Sequence, residues 1–314
     1  MLKLHIATLS CALAVTAANA GTLDRPAYEQ LAKTTLEICQ DGAKRGCWRP
    51  LEEVLQRLSP PSDQRQWEDY FFGHFSLAQC AYRVGDFDES AHFFVKVLEI
   101  APRIDQGEDG HSNFAVLLAN REAAAPALSM GNYTLALAYL DLALAQPASK
   151  EFKEELAVMR AGALAGLHRV AEARLALDRI VATLRWDGRA PWEAFPFAPE
   201  PMNPYEIARR AAAFYFRQGD AAASLKLLER VEAARRATIE GMPKEFVPGG
   251  YWAQRLQPGI LLLDMATVHE QQGRQEAAAQ LRREAAVLRK ASAESTATDW
   301  HMPDPLARVL GLLN

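Results

Sequence analysis

Cysteine is the residue type in this chain with the clearest capacity for covalent chemistry, and there are four of them. Cys11 lies in a leading apolar stretch, which leaves Cys39, Cys47 and Cys80 for the folded protein. Cys39 and Cys47 are separated by a short segment that includes Gly42 and Gly46. In an oxidising compartment they are expected to close a small disulfide loop between two helices. So short a loop would contribute about 2–3 kcal/mol. Cys80 stands in an apolar-periodic segment and reads as a buried small hydrophobe rather than a nucleophile. Metal ligation by the three is not expected, because no CxxC pair and no His at ligand spacing accompanies them.

The remaining constellations are incomplete. His269-Glu270 begins like a zinc-protease helix, but Gln272-Gly273 follows where the second His should stand, so His269 reads as a packing residue. Asp105 to Gly110 resembles the opening of a calcium loop, with carboxylates at Asp105, Glu108 and Asp109 and a Gly at the sixth position. Its twelfth position is Val116, which has no carboxylate to offer the ion, so the segment reads as a solvated acidic loop. No GxSxG elbow, phosphate-cradling Gly loop or dinucleotide fingerprint is present. The expectation is a binding protein rather than an enzyme, with no catalytic residue and no cofactor.

The elements that must position any binding surface are helices. Apolar residues recur at helical spacing from about Arg25 onward, and alternating runs of β-branched and aromatic residues are missing. Ahead of this, Lys3, the apolar run Leu9 to Ala17 and the small-x-small triplet Ala18-Asn19-Ala20 read as a secretory signal over residues 1–20. The run is too short for a membrane span, and Thr8 stands where a lipoprotein cysteine would want an aliphatic neighbour. A periplasmic or secreted location is therefore expected. The formal net charge of −4, with both signs interspersed, argues against a nucleic-acid binder, which needs concentrated positive potential.

The clearest repeat unit spans Asp69 to Arg103. Phe72, Phe75, Leu77, Ala78 and Ala81 fall at helical spacing; Gly85-Asp86 breaks the helix, and Phe87 starts a second one expected to stop before Pro102. Ala78 and Ser90 let the two helices approach, with Phe94 between them. A Leu-small pair, a turn Gly, a small residue five later, an aromatic four beyond that and a terminal Pro together resemble the tetratricopeptide repeat. Weaker versions recur at Gly131-Asn132, His168-Arg169, Gly219-Asp220 and Gly273-Arg274, the His168-Arg169 unit without the turn Gly. Spacings exceed the roughly 34 residues of an uninterrupted array. Pro126 inside a first helix is a further departure.

The resemblance implies a right-handed, all-α helical-hairpin solenoid over residues 65–292, between an N-terminal helical cap at 21–64 and a C-terminal cap at 293–314. It also implies that the first helix of each pair lines a groove. Phe72, Phe75, Gln79, Tyr82 and Arg83 of the first unit, with Arg209, Phe216 and Arg217 of the fourth, would face it. Arg and aromatic side chains suit a carboxylate-bearing peptide or an acidic patch. The alternative is that the two Phe pack against the cap while the Arg residues are solvated.

Two insertions, at 186–205 and 241–252, are rich in Pro and aromatic residues. Their rings, Trp192 and Trp252 included, either plug the array or frame a partner site. The leading expectation is an exported adaptor for a protein or peptide partner, in envelope assembly, secretion or inhibition. The alternative is a receptor for a small molecule or cell-wall fragment, stacked on Trp192 and Trp252.

Overall fold

The computed structural model of the chain describes Cys39, residues 45–57, 61, 63–104, 114–184, 204–240 and 259–293, and Leu310. Among these there are eleven α-helices and no strand. They are α1 (Arg49–Arg57), α2 (Gln64–Arg83), α3 (Phe87–Ile104), α4 (Phe114–Met130), α5 (Tyr133–Leu144), α6 (Lys150–Gly166), α7 (Val170–Thr183), α8 (Pro204–Arg217), α9 (Ala221–Glu240), α10 (Ile260–Gln271) and α11 (Gln275–Ala293). Successive helices pack pairwise, giving the hairpins α2/α3, α4/α5, α6/α7, α8/α9 and α10/α11. The fold is all-α, built from helical hairpins.

One turn closes all five. The residue after each first helix's C-cap takes a left-handed backbone, with φ of +78° at Gly85, +80° at Gly131, +81° at Gly219, +75° at Gly273 and +60° at His168. The N–H of the next residue then donates back to a carbonyl five residues earlier. The bonds are Asp86 to Ala81 (2.9 Å), Asn132 to Ala127 (2.8 Å), Arg169 to Leu164 (2.8 Å), Asp220 to Tyr215 (2.9 Å) and Arg274 to His269 (2.9 Å). This is a Schellman closure, which satisfies carbonyls that a helix end leaves open. His168 adopts the same shape without glycine's freedom, at a steric cost of about 1 kcal/mol.

Counted from these turns, the buried positions repeat. Ser90, Ala136, Ala173, Ser224 and Ala278, five residues on, are fully buried, as are Ala78, Ala124, Ala161, Ala212 and Ala266, seven residues before. Small residues on facing surfaces let two helices approach to the short end of the usual 8–10 Å. In the first hairpin the Ser90 hydroxyl also donates to the Ala78 carbonyl at 2.9 Å. Larger side chains fill the next position along: Phe94, Leu140, Leu177 and Leu228 are all buried.

Two helices, α3 and α8, differ from expectation. α3 runs through Pro102 to Ile104 rather than stopping before the proline, whereas α4 holds Pro126 inside it as expected and runs on to Met130. A proline's fixed φ suits a helix, so its cost is one lost hydrogen bond and crowding of the preceding turn, which these packed helices sustain. α8 begins at Pro204, where proline's missing N–H has no intrahelical partner to lose, so the last residues of the first insertion belong to a helix. The segments 1–20 and 21–38, the insertion residues 186–203 and 241–252, the acidic loop from Asp105 to Gly110, and the C-terminal cap apart from Ala293, which ends α11, and Leu310 lie outside the described residues.

The helices form two compact units, α1–α5 and α6–α11, divided between Ala148 and Ser149. The core of the first gathers Trp48, Leu51, Phe71, Leu77, Phe93, Phe94, Val97 and Ile100 around buried sulfur. That sulfur corrects the expected Cys39–Cys47 pairing. Cys39 is bonded to Cys80, across a sequence separation of 41 residues, with Cα atoms 5.4 Å apart. Packing of α2 brings Cys80 into the distance range that a disulfide needs, a contact that local spacing does not reveal.

Candidate functional site

α2 and α4, the first helices of neighbouring hairpins, are joined by a polar seam. The Gln79 amide and the Arg121 guanidinium both donate to the Glu122 carboxylate. The Tyr82 hydroxyl lies 3.3 Å from the Ser129 hydroxyl, and Asn120 donates to the Val116 carbonyl at 2.8 Å. Arg83 is half-buried; burial lowers its pKa, and the Glu122 charge acts in the opposite sense. A carboxylate sunk in an Ala-rich helix requires such donors, because a buried charge without them is strongly disfavoured.

Ring packing sets the aromatic residues of α2 apart from each other. Phe75 stacks on Phe71 at 5.8 Å and meets the edge of Phe94 at 6.0 Å, so it belongs to the core. Phe72, one position from Phe71, points outward and is 45% exposed. Further along the helix, His74 has both ring nitrogens buried with no hydrogen-bond partner, its ring edge-on to Tyr70 at 4.6 Å. Burial, then the Lys96 charge, pushes its pKa down to about 4.

In the second unit the seam is ionic. Arg209 on α8 donates to Asp264 on α10 through Nε at 2.6 Å and Nη2 at 3.3 Å, and to Glu206 through Nη1 at 3.1 Å. Burial opposes the Arg209 charge, but the two carboxylates outweigh it and hold the guanidinium above its ordinary value. Arg210 reaches the other Glu206 oxygen at 2.8 Å. Nearby, the Tyr215 hydroxyl donates to Asp178 at 2.6 Å, and Arg174 binds Asp220 at 2.7 Å while lying 4.6 Å over the Tyr215 ring. Burial, then Asp178, raises the Tyr215 pKa.

The residues expected to face a groove therefore divide. Gln79, Tyr82 and Arg209 are buried and engaged within the chain; Phe75 and Phe216 are half-buried; Phe72 and Arg217 are exposed. Trp192 and Trp252 lie outside the described residues. Sequence reasoning passed over Glu122 and Asp264, which organise the two seams. Their signal was an acidic residue inside an otherwise Ala- and Leu-rich first helix, nine residues before the turn in both cases.

The third grouping is the sulfur cluster. The Cys47 Sγ lies 3.2 Å from that of Cys39 and 3.4 Å from that of Cys80. All three sulfurs lie within 4.8 Å of one another. Cys47 is the free thiol; it is half-buried, and burial raises its pKa against the pull of nearby backbone N–H groups. Of the three groupings it is the one whose atoms undergo thiol–disulfide chemistry. No protein-family model matches the chain, and neither does any curated protein.

Proposed function

We propose that this chain is an exported, tetratricopeptide-like adaptor that holds a protein or peptide partner. The observation that carries the reading is the fivefold recurrence of one hairpin: the same turn, with the same small buried positions on either side. Repeated helical hairpins of this kind present extended helical faces, a scaffold suited to binding. No described helix is long and apolar enough to cross a membrane. The Cys39–Cys80 bond accords with an oxidising compartment. Phe72 in the first unit and Arg217 in the second are each exposed, and an aromatic anchor or an Arg is the usual hot-spot residue of an interface.

The test is affinity capture of the tagged protein, crosslinked in its own host's envelope, with co-purifying chains identified by mass spectrometry. A dominant protein partner is expected, and its recovery should fall when Phe72→Ala and Arg217→Ala are introduced. Substrate turnover by the purified protein with no captured partner would overturn the reading.

A further inference from the structure

Three cysteines cannot all be paired within one chain. Here the unpaired one is not remote from the bond but placed against both ends of it. The Cys47 sulfur is 3.2 Å from Cys39 Sγ and 3.4 Å from Cys80 Sγ, so it lies beside the bond in contact with both sulfurs, and a rotation of the Cys47 side chain that brings it in line with the bond precedes attack on either. The three come from separate places: Cys39 from the segment ahead of α1, Cys47 from the turn leading into α1, and Cys80 from the last turn of α2. Trp48, Leu51, Phe93 and Phe94 belong to the same core and separate the cluster from bulk water on its inner side. Cys47, only half-buried, is its opening to solvent.

We propose that Cys39, Cys47 and Cys80 form a thiol–disulfide exchange centre in which one disulfide is shared among three sulfurs. The step needs no external oxidant. Cys47 gives up its proton to solvent, and the thiolate attacks Cys39 Sγ. A Cys39–Cys47 bond forms as the Cys39–Cys80 bond breaks; the bonding pair leaves on Cys80 Sγ, which takes up a proton. Attack on Cys80 Sγ gives Cys47–Cys80 instead and frees Cys39. Disulfide and thiol counts are unchanged in either direction. A soft metal ion on these sulfurs would require all three as thiolates, whereas two are bonded to each other.

The three pairings are not equivalent. Cys39–Cys80 and Cys47–Cys80 each fasten the chain ahead of α1 to α2, whereas Cys39–Cys47 closes a local loop and leaves α2 covalently free. Exchange therefore sets whether the segment before the first hairpin is tied to it.

Protein purified without reductant, held at pH 8, then quenched into acid to stop exchange, would be digested with pepsin and its crosslinked peptides mapped by mass spectrometry. The proposal expects Cys39–Cys80 together with at least one pairing that includes Cys47. In Cys47→Ser, a near-isosteric change at a half-buried position, only Cys39–Cys80 should remain. Recovery of Cys39–Cys80 alone from the unsubstituted protein, with Cys47 always the free thiol, would overturn it.

Discussion

In the first unit, Trp48, Phe71, Phe93 and Phe94, with half-buried Phe75, pack within and ahead of the α2/α3 hairpin around the Cys39–Cys80 bond, and Arg121–Glu122 on α4 is a buried ion pair. In the second, charge is buried in numbers: Arg209 with Asp264, and Arg235 with Glu232, which also receives Arg236. The hairpin frame is common to both, down to the Ala seven residues before each turn. A repeat of this kind thus specifies where helices approach closely and leaves open what fills the gaps. The two fillings respond differently to change. Aromatic packing is non-directional and accepts substitutes of similar volume, whereas a buried ion pair depends on both partners being present.

The largest expected effect follows from that asymmetry. Asp264→Ala leaves the buried Arg209 guanidinium with Glu206 alone and its other donors unpaired, and should cost about 3 kcal/mol, read from urea unfolding at neutral pH. Replacing both partners, Arg209→Met with Asp264→Leu, should recover most of that loss. Phe94→Ala should cost a similar amount, about 3–5 kcal/mol. Phe94→Leu should cost less, because much of the volume is kept. If the double replacement is no better than Asp264→Ala alone, the contrast between the units fails.

Next in size is the covalent tie, which the second unit lacks among its described residues. Reduction with dithiothreitol should destabilise the protein by about 3–4 kcal/mol, given the 41-residue separation. The signature is a fall in the urea midpoint under reductant that is absent when Cys39 and Cys80 are both replaced by Ala.

A smaller effect comes from His74. Its folded pKa of about 4 lies below the ordinary value of 6.5, so the unfolded chain binds more protons between those values. Stability is unaffected by this group above pH 6.5 and is lost progressively as pH falls toward 4. Allowing for partial solvent access, the loss is about 1–2 kcal/mol. The difference in urea midpoint between the protein and His74→Gln, followed from pH 7 to pH 4.5, isolates it. The smallest effect tests the common turn: His168→Gly relieves the one non-glycine left-handed position among the described residues and should stabilise by about 0.5–1 kcal/mol in the same assay.

The helical class, the five turns and the small residue after each were legible because they depend on local backbone chemistry. Gly85, Gly131, Gly219 and Gly273 announce a left-handed residue wherever a helix must end, and Ala or Ser five residues on announces close approach. His168 was legible only by position, since its side chain gives no hint of the backbone it adopts. The candidate site was read less well. Gln79, Tyr82 and Arg209 look from their types like residues for a partner, yet neighbouring helices claim them through Glu122, Ser129 and Asp264.

By itself, then, the sequence determined an all-α chain of helical hairpins with a fixed frame of small residues, because helix periodicity and turn chemistry act over a few residues. Only tertiary structure decided that Cys80 rather than Cys47 bonds Cys39, and that Phe72 is exposed while Phe75 is half-buried against the core. Both outcomes depend on which surfaces meet when α1, α2 and α3 pack, and residues tens of positions apart become neighbours only then.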